Sequence, residues 1–172
     1  MSGELHKKLI EIGRKYLLNH QISGFCKSSI VASEIVISCG ECADVIGWSN
    51  AQSILLEAKT SREDFKKDSK KWFRMFPERG VGDLRLYIAP KGLIKIEELP
   101  EYWGLIEVNE KLKPRMVQKP VKQKSDKRAE ILILSSIIKR IGQNPPEGVS
   151  IKCYVHETKN NATLTLKNEE GK

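Results

Sequence analysis

Two apolar runs separated by a short polar stretch constrain this chain more than any other feature. Ala43-Asp44-Val45-Ile46-Gly47-Trp48 and Ser53-Ile54-Leu55-Leu56-Glu57-Ala58-Lys59 read as strands, and Ser49-Asn50-Ala51-Gln52 reads as the turn between them. With those four residues as a hairpin loop, Trp48 lies opposite Ser53, and flush pairing sets Asp44 opposite Glu57. Directly opposed residues of an antiparallel pair have Cβ atoms about 4.5–5.5 Å apart. Period-two alternation puts Lys59 on the same face as Glu57. Two carboxylates and one ammonium therefore converge. Opposed carboxylates repel unless a cation lies between them, so register alone points to a metal site at Asp44 and Glu57.

Asp44 followed thirteen residues later by Glu57-Ala58-Lys59 resembles the signature of the PD-(D/E)xK, or restriction-endonuclease-like, nuclease superfamily. A branch it resembles is the MmcB-like group associated with DNA repair. The resemblance spans roughly residues 4–108, because it includes the order of elements around the motif. It implies an α/β (α+β) fold, a restriction-endonuclease-like mixed sheet flanked by helices. It implies that Asp44 and Glu57 hold Mg2+ or Mn2+, with the Ala58 carbonyl as a further ligand, and that Lys59 orients or deprotonates the attacking water. In that superfamily the first helix often brings another acid toward the metal. Glu11 is the candidate here and Glu4 the second, against the plainer reading of Glu11 as a surface ion pair with Lys15. Ala43 stands where the motif usually has proline, a departure that touches no ligand.

The charge is unevenly spread. Of the net +8, the stretch Lys111–Arg128 carries +7, with eight bases against Asp126. Such a segment suits a polyphosphate, because each neutralised phosphate releases condensed counterions, and Lys119, Lys122 and Lys124 are its candidate contacts. The competing reading is a solvated linker without a partner. Few apolar residues and two prolines, Pro114 and Pro120, predict that it is mobile. No apolar run approaches the roughly 20 residues that span a bilayer, and the first residues lack the apolar core of a signal peptide. The expectation is a cytoplasmic protein with no membrane partner. Cys39-Gly40-Glu41-Cys42 reads as a turn with reduced thiols, since a structural zinc site needs a second close pair besides Cys26 and Cys153.

A first helix is expected over about Glu4–Leu18, with Leu5, Leu9, Ile12 and Tyr16 as its apolar stripe. A strand follows over Ser29–Ser38. A turn centred on Gly40-Glu41 would pair Ile37 with Asp44 and turn Glu34 to the opposite face, an orientation that a bulge would reverse. Ser61, with Asp64 three residues on, resembles a capping box. It opens a helix expected to reach Arg74 with Phe65, Ser69, Trp72, Phe73 and Phe76 inward. The outer face of that helix presents Lys66, Lys67, Lys70 and Lys71, which either track a phosphate backbone or keep the helix soluble. Strands are expected at Leu84–Ala89 and Leu105–Val108, with Trp103 read as a packing anchor rather than a base-stacking platform. A C-terminal helix over Ala129–Ile141 is apolar enough to be buried on the sheet or in a homodimer. A terminal β-hairpin follows, Val149–His156 and Ala162–Leu166.

The organisation expected is therefore a nuclease-like core at 1–110, a basic linker at 111–128 and a helix plus hairpin at 129–172. The expected function is a metal-dependent nuclease that hydrolyses phosphodiester bonds, DNA favoured, in repair, restriction or mobile-element processing. The alternative is a nucleic-acid-binding protein with the same fold that does not cut.

Overall fold

Six short segments build one sheet, its central strands buried almost throughout, and the helices are placed by what they cover on it. A computed structural model describes residues 2–35 and 42–143. The chain divides into two units, 1–134 and 135–172, and the first contains the sheet. In chain order the elements are α1 (Ser2–Asn19), β1 (Ile30–Ile35), β2 (Ala43–Ser49), β3 (Gln52–Ala58), α2 (Arg62–Asp68), α3 (Trp72–Met75), β4 (Leu84–Pro90), β5 (Gly104–Val108), β6 (Pro114–Gln118) and α4 (Lys127–Gln143). The strands lie in the order β1-β2-β3-β4-β5-β6. The β3–β4 and β4–β5 pairs are parallel and the rest antiparallel. This is a mixed α/β architecture, with the expected order of helix, three strands, helix and strand at its start. Among the described residues no helix is long and apolar enough to cross a membrane.

One face of the sheet is apolar. Leu9, Ile10 and Leu17 of α1 pack there against Val45, Ile54, Leu56, Leu86, Ile88 and Ile106. Gly13 lets the helix approach closely, because a Cβ at that position would meet Leu56 Cδ2 at 2.8 Å. The buried stripe of α1 is thus Leu9, Ile10, Gly13 and Leu17, rotated from the expected one, with Leu5, Ile12 and Tyr16 at its margin.

The β2–β3 hairpin has the expected register. Trp48 pairs with Ser53 and Val45 with Leu56. Its loop is tighter than a four-residue turn, since Ser49 also pairs with Gln52. Only Asn50 and Ala51 remain to turn the chain, both at positive φ (49° and 60°), as a two-residue hairpin of matching twist requires.

Three expectations need correction. Ser33 pairs with Val45 and Ile35 with Ala43, so the residue level with Asp44 is Glu34 rather than Ile37. Glu34 is exposed at φ 52°, a local irregularity that simple alternation does not anticipate. The single helix expected from Ser61 to Arg74 is broken into α2 and α3 around Ser69-Lys70-Lys71. Ser61 does cap α2, accepting from the Asp64 N–H at 3.1 Å. The stretch 111–128, expected to be mobile, contributes β6 as an edge strand. Beyond it the chain is pinned by the Val121 N–H to the Tyr102 carbonyl and by the Gln123 N–H to the Asp83 carbonyl, both at 2.9 Å. Proline as the first residue of an edge strand costs no ladder bond.

In the first two turns of α4, Glu130 and Ile133 are buried while Ile131 and Leu132 are exposed. The Glu130 carboxylate accepts from Ser53 Oγ (2.7 Å) and the Gly82 N–H (3.0 Å), and Lys127 bridges it to Asp83. The expected terminal hairpin, with Cys39 and Cys153, lies outside the described residues. Cys26 and Cys42 are exposed free thiols.

Candidate functional site

Strand alternation delivers opposite chemistry to the two faces of β3. Ile54, Leu56 and Ala58 enter the apolar core, while Ser53, Leu55, Glu57 and then Lys59 belong to the other face. Parallel pairing sets Glu57 beside Tyr87, and α2 is seated there by Phe65, whose ring meets Tyr87 edge-on at 5.2 Å. Arg62 ties the start of α2 down, donating to the Leu93 carbonyl (3.1 Å) and pairing with Glu98. Three residues after Phe65, the same inward side of α2 carries Asp68.

The result is a buried charge cluster. Glu57 is 1% exposed and Lys59 3%. Lys59 Nζ lies between two carboxylates, 3.2 Å from Glu57 Oε2 and 3.0 Å from Asp68 Oδ1. Asp68 also accepts from Tyr87 Oη (2.6 Å) and Arg74 Nε (2.7 Å), and Lys71 Nζ is at 2.9 Å. Lys71 and Arg74 reach Glu57 as well, at 3.4 and 3.6 Å. Glu57 Oε1 is buried without a hydrogen bond. Burial alone would raise the Asp68 carboxyl, but the charges of Arg74 and Lys59 and the Tyr87 hydroxyl hold it well below the usual carboxylate range. Burial would depress Lys71, yet Glu57 and Asp68 push it up to about 12. Burial and the Asp68 charge push the Tyr87 phenol up.

Asp44 stands at the edge of this cluster. The hairpin register, continued by one residue, sets it level with Glu57. Its Oδ2 accepts from the Ala58 N–H at 2.9 Å. From α1 it is His6, not Glu11 or Glu4, that approaches, with Nε2 at 3.5 Å from Oδ1. Burial, then the Glu57 charge, raise the Asp44 carboxyl against the lowering effects of the Ala58 N–H, His6 and Lys59. Glu11 does not join the group, since its carboxylate is held by Arg14 (2.8 Å) and Lys15 (3.2 Å). Glu4 pairs with Lys8. Among the described residues no three His, Cys, Asp or Glu side chains form a group suited to a metal ion.

Asp44, Glu57 and Lys59 are therefore brought together, but Glu57 and Lys59 lie beneath the surface rather than on an open face. Asp68, Tyr87, Arg74 and His6 were missed from sequence, and Lys71, expected on the outer face of the helix with Lys66, Lys67 and Lys70, reaches into the cluster instead. Asp68 had a signal, as the lone acid in Lys66-Lys67-Asp68-Ser69-Lys70-Lys71 and three residues from Phe65. Tyr87, Arg74 and His6 had none, because a parallel strand register, a helix break and the packing of α1 beside β2 are not encoded by local pattern.

Lys66, Lys67 and Lys70 are exposed on α2 and the turn after it, and Lys119, Lys122 and Lys124 are exposed along the strap that follows β6. A cleft of about 370 Å3 opens beside the cluster, lined by Arg74, Trp103, Arg85, Tyr102 and Lys124 among others. Trp103 is buried, stacked on Tyr87 at 4.5 Å and beneath the Arg74 guanidinium at 4.5 Å, as a packing anchor is.

No family model matches this chain, and no curated protein matches it. Among solved structures, the chain is similar to a protein of unknown function from Silicibacter pomeroyi. The identity is 24% over 71% of this chain and 84% of that one, with a TM-score of 0.49.

Proposed function

We propose that this protein is a metal-dependent nuclease of the PD-(D/E)xK type acting on DNA in the cytoplasm. The observation that carries the reading is the convergence of Asp44, Glu57 and Lys59 at one end of the β2–β3 hairpin, in the order of elements the motif requires. The group this implies is a divalent cation, and two features fit it. Glu57 Oε1 is buried without a hydrogen bond. The Asp44 carboxyl is raised by burial and by the charge of Glu57, so positive charge placed between the two is favoured. Magnesium is commonly held by one or two carboxylates, with waters and substrate phosphates completing its shell. Asp44 and Glu57 supply that donor set. When bound, such an ion acidifies water and stabilises charge on the scissile phosphate. Lys59, fixed between Glu57 and Asp68, would orient the attacking water, and Lys71, partly exposed, would donate to a phosphate oxygen.

The burial of Glu57 and Lys59 favours a second reading, a nucleic-acid-binding protein that does not cut, in which the cluster is structural. A cleavage assay separates the two. Labelled single-stranded, duplex and branched DNA are incubated with Mg2+ or Mn2+ and with wild type, Asp44→Asn or Glu57→Gln. Cutting by wild type that both variants lose, with circular dichroism unchanged, supports the nuclease. Binding without cutting by wild type under Mn2+ supports the second reading.

A further inference from the structure

The break between α2 and α3 leaves a patch that neither the core nor the charge cluster uses. Trp72, Met75 and Phe76 are 48%, 60% and 45% exposed. They fall at i, i+3 and i+4, so one outward side of the α3 turn carries all three. Trp72 and Phe76 lie with ring centroids 5.2 Å apart at 41°, and Phe73 meets Trp72 edge-on at 5.3 Å. A group of large apolar side chains this exposed marks a contact surface. Its surroundings are basic. Asp68, Lys71 and Arg74 are engaged inside the cluster, which leaves Lys66, Lys67, Lys70 and Arg79 against Glu78 in the segment from Lys66 to Arg79.

We propose that Trp72, Met75 and Phe76 form a stacking platform for unpaired bases, with Lys66, Lys67 and Lys70 along the phosphates, so that this face takes single-stranded nucleic acid. Two properties of the patch select that occupant. Flat, exposed aromatic rings beside cations offer each base a face and each phosphate a charge, and this combination tolerates any sequence. Paired bases present no free face to it. A helix of one turn is also too small to lie in a lipid interface, where the binding strength scales with buried apolar area. The proposal rests on the nucleic-acid reading above but not on cleavage, and it names the substrate class as unpaired.

The protein carries its own probe, since Trp48 and Trp103 are 8% and 4% exposed and Trp72 is open. The full chain is titrated in EDTA with an oligothymidine, a blunt duplex and anionic phosphatidylserine vesicles. Tryptophan emission and the anisotropy of a labelled strand are followed. Oligothymidine should quench the emission. Trp72→Ala should abolish the quench and weaken binding roughly five- to hundredfold, the scale of one lost base stack, and Phe76→Ala should weaken it in the same direction. Both side chains are exposed, so thermal melts should be unchanged and a folding defect is separable. Wild-type affinity in both variants, equal binding of duplex, or silence toward oligothymidine would each overturn the proposal. Emission shifting to the blue with vesicles alone would assign the patch to a lipid surface instead. Because no metal is present, failure here is distinct from failure to cleave.

Discussion

Asp68→Asn is the sharpest probe of the charge cluster. In the native protein Asp68 carries Lys59 at 3.0 Å, Lys71 at 2.9 Å, Arg74 at 2.7 Å and the Tyr87 hydroxyl at 2.6 Å, with its own side chain fully buried. Neutralising it without changing its shape leaves three cations around the single carboxylate of Glu57. Removing one partner of a buried ion pair typically costs about 3–5 kcal/mol, a large part of the roughly 5–15 kcal/mol by which a domain is stable. For a chain of this size that corresponds to a fall in Tm of roughly 6–20 °C. The pH dependence follows from the direction of the shift. The folded Asp68 carboxyl lies below its unfolded value of about 3.9. Its contribution is fully present above that value and is lost as pH falls through the folded pKa. Asp44, whose folded carboxyl is raised, acts with the opposite sign, so the quantity to read is the difference between wild type and Asp68→Asn. Urea denaturation followed by circular dichroism at pH 7 and at pH 3 should show that difference large at pH 7 and shrinking at pH 3. A loss under about 1 kcal/mol at pH 7, or a difference that grows on acidification, would refute the reasoning.

Two further outcomes are expected. Ala51→Gly should raise stability by up to about 1 kcal/mol, because Ala51 sits at φ 60° where a Cβ is strained and glycine is not; a lower urea midpoint would count against the strained turn. Replacing Lys119, Lys122 and Lys124 with glutamine should weaken nucleic-acid binding alike for all sequences and flatten its salt dependence, by about 0.7 in log–log slope for each single-strand phosphate no longer neutralised. An unchanged slope would mark the strap as solvated surface.

What the sequence made legible was local. The β2–β3 register followed from two alternating runs and a turn, and with it the nearness of Asp44 to Glu57. The capping of α2 by Ser61 was equally local. Parallel pairing was not legible, because nothing in Leu84–Pro90 says which of its residues lies beside Glu57, and that pairing brings Tyr87 into the cluster. The helical period of Phe65, Trp72 and Phe76 suggested one inward stripe. The turn at Ser69-Lys70-Lys71 rotates α3 so that Trp72 and Phe76 face outward. β6 was hidden because an edge strand has no need of strict alternation, and Pro114 and Arg115 at its start read as linker. Charge density was visible in Lys111–Arg128, but the backbone bonds that order that stretch depend on Tyr102 and Asp83, which are distant in sequence.

The division of labour along β3 bears on how this gene can drift. Leu56 lies in the apolar core and Glu57, its neighbour, in the charge cluster. Inserting or deleting one residue in the strand would swap the two sets, sending a carboxylate among Leu9, Leu86 and Ile88 and a leucine among Asp68, Lys71 and Arg74. The Asn50-Ala51 turn has no slack to absorb the change. Substitutions can accumulate in this hairpin one at a time, but changes of length cannot. Indels should instead collect where no buried pattern depends on the count, as in the exposed turn at Asn109–Lys113 between β5 and β6.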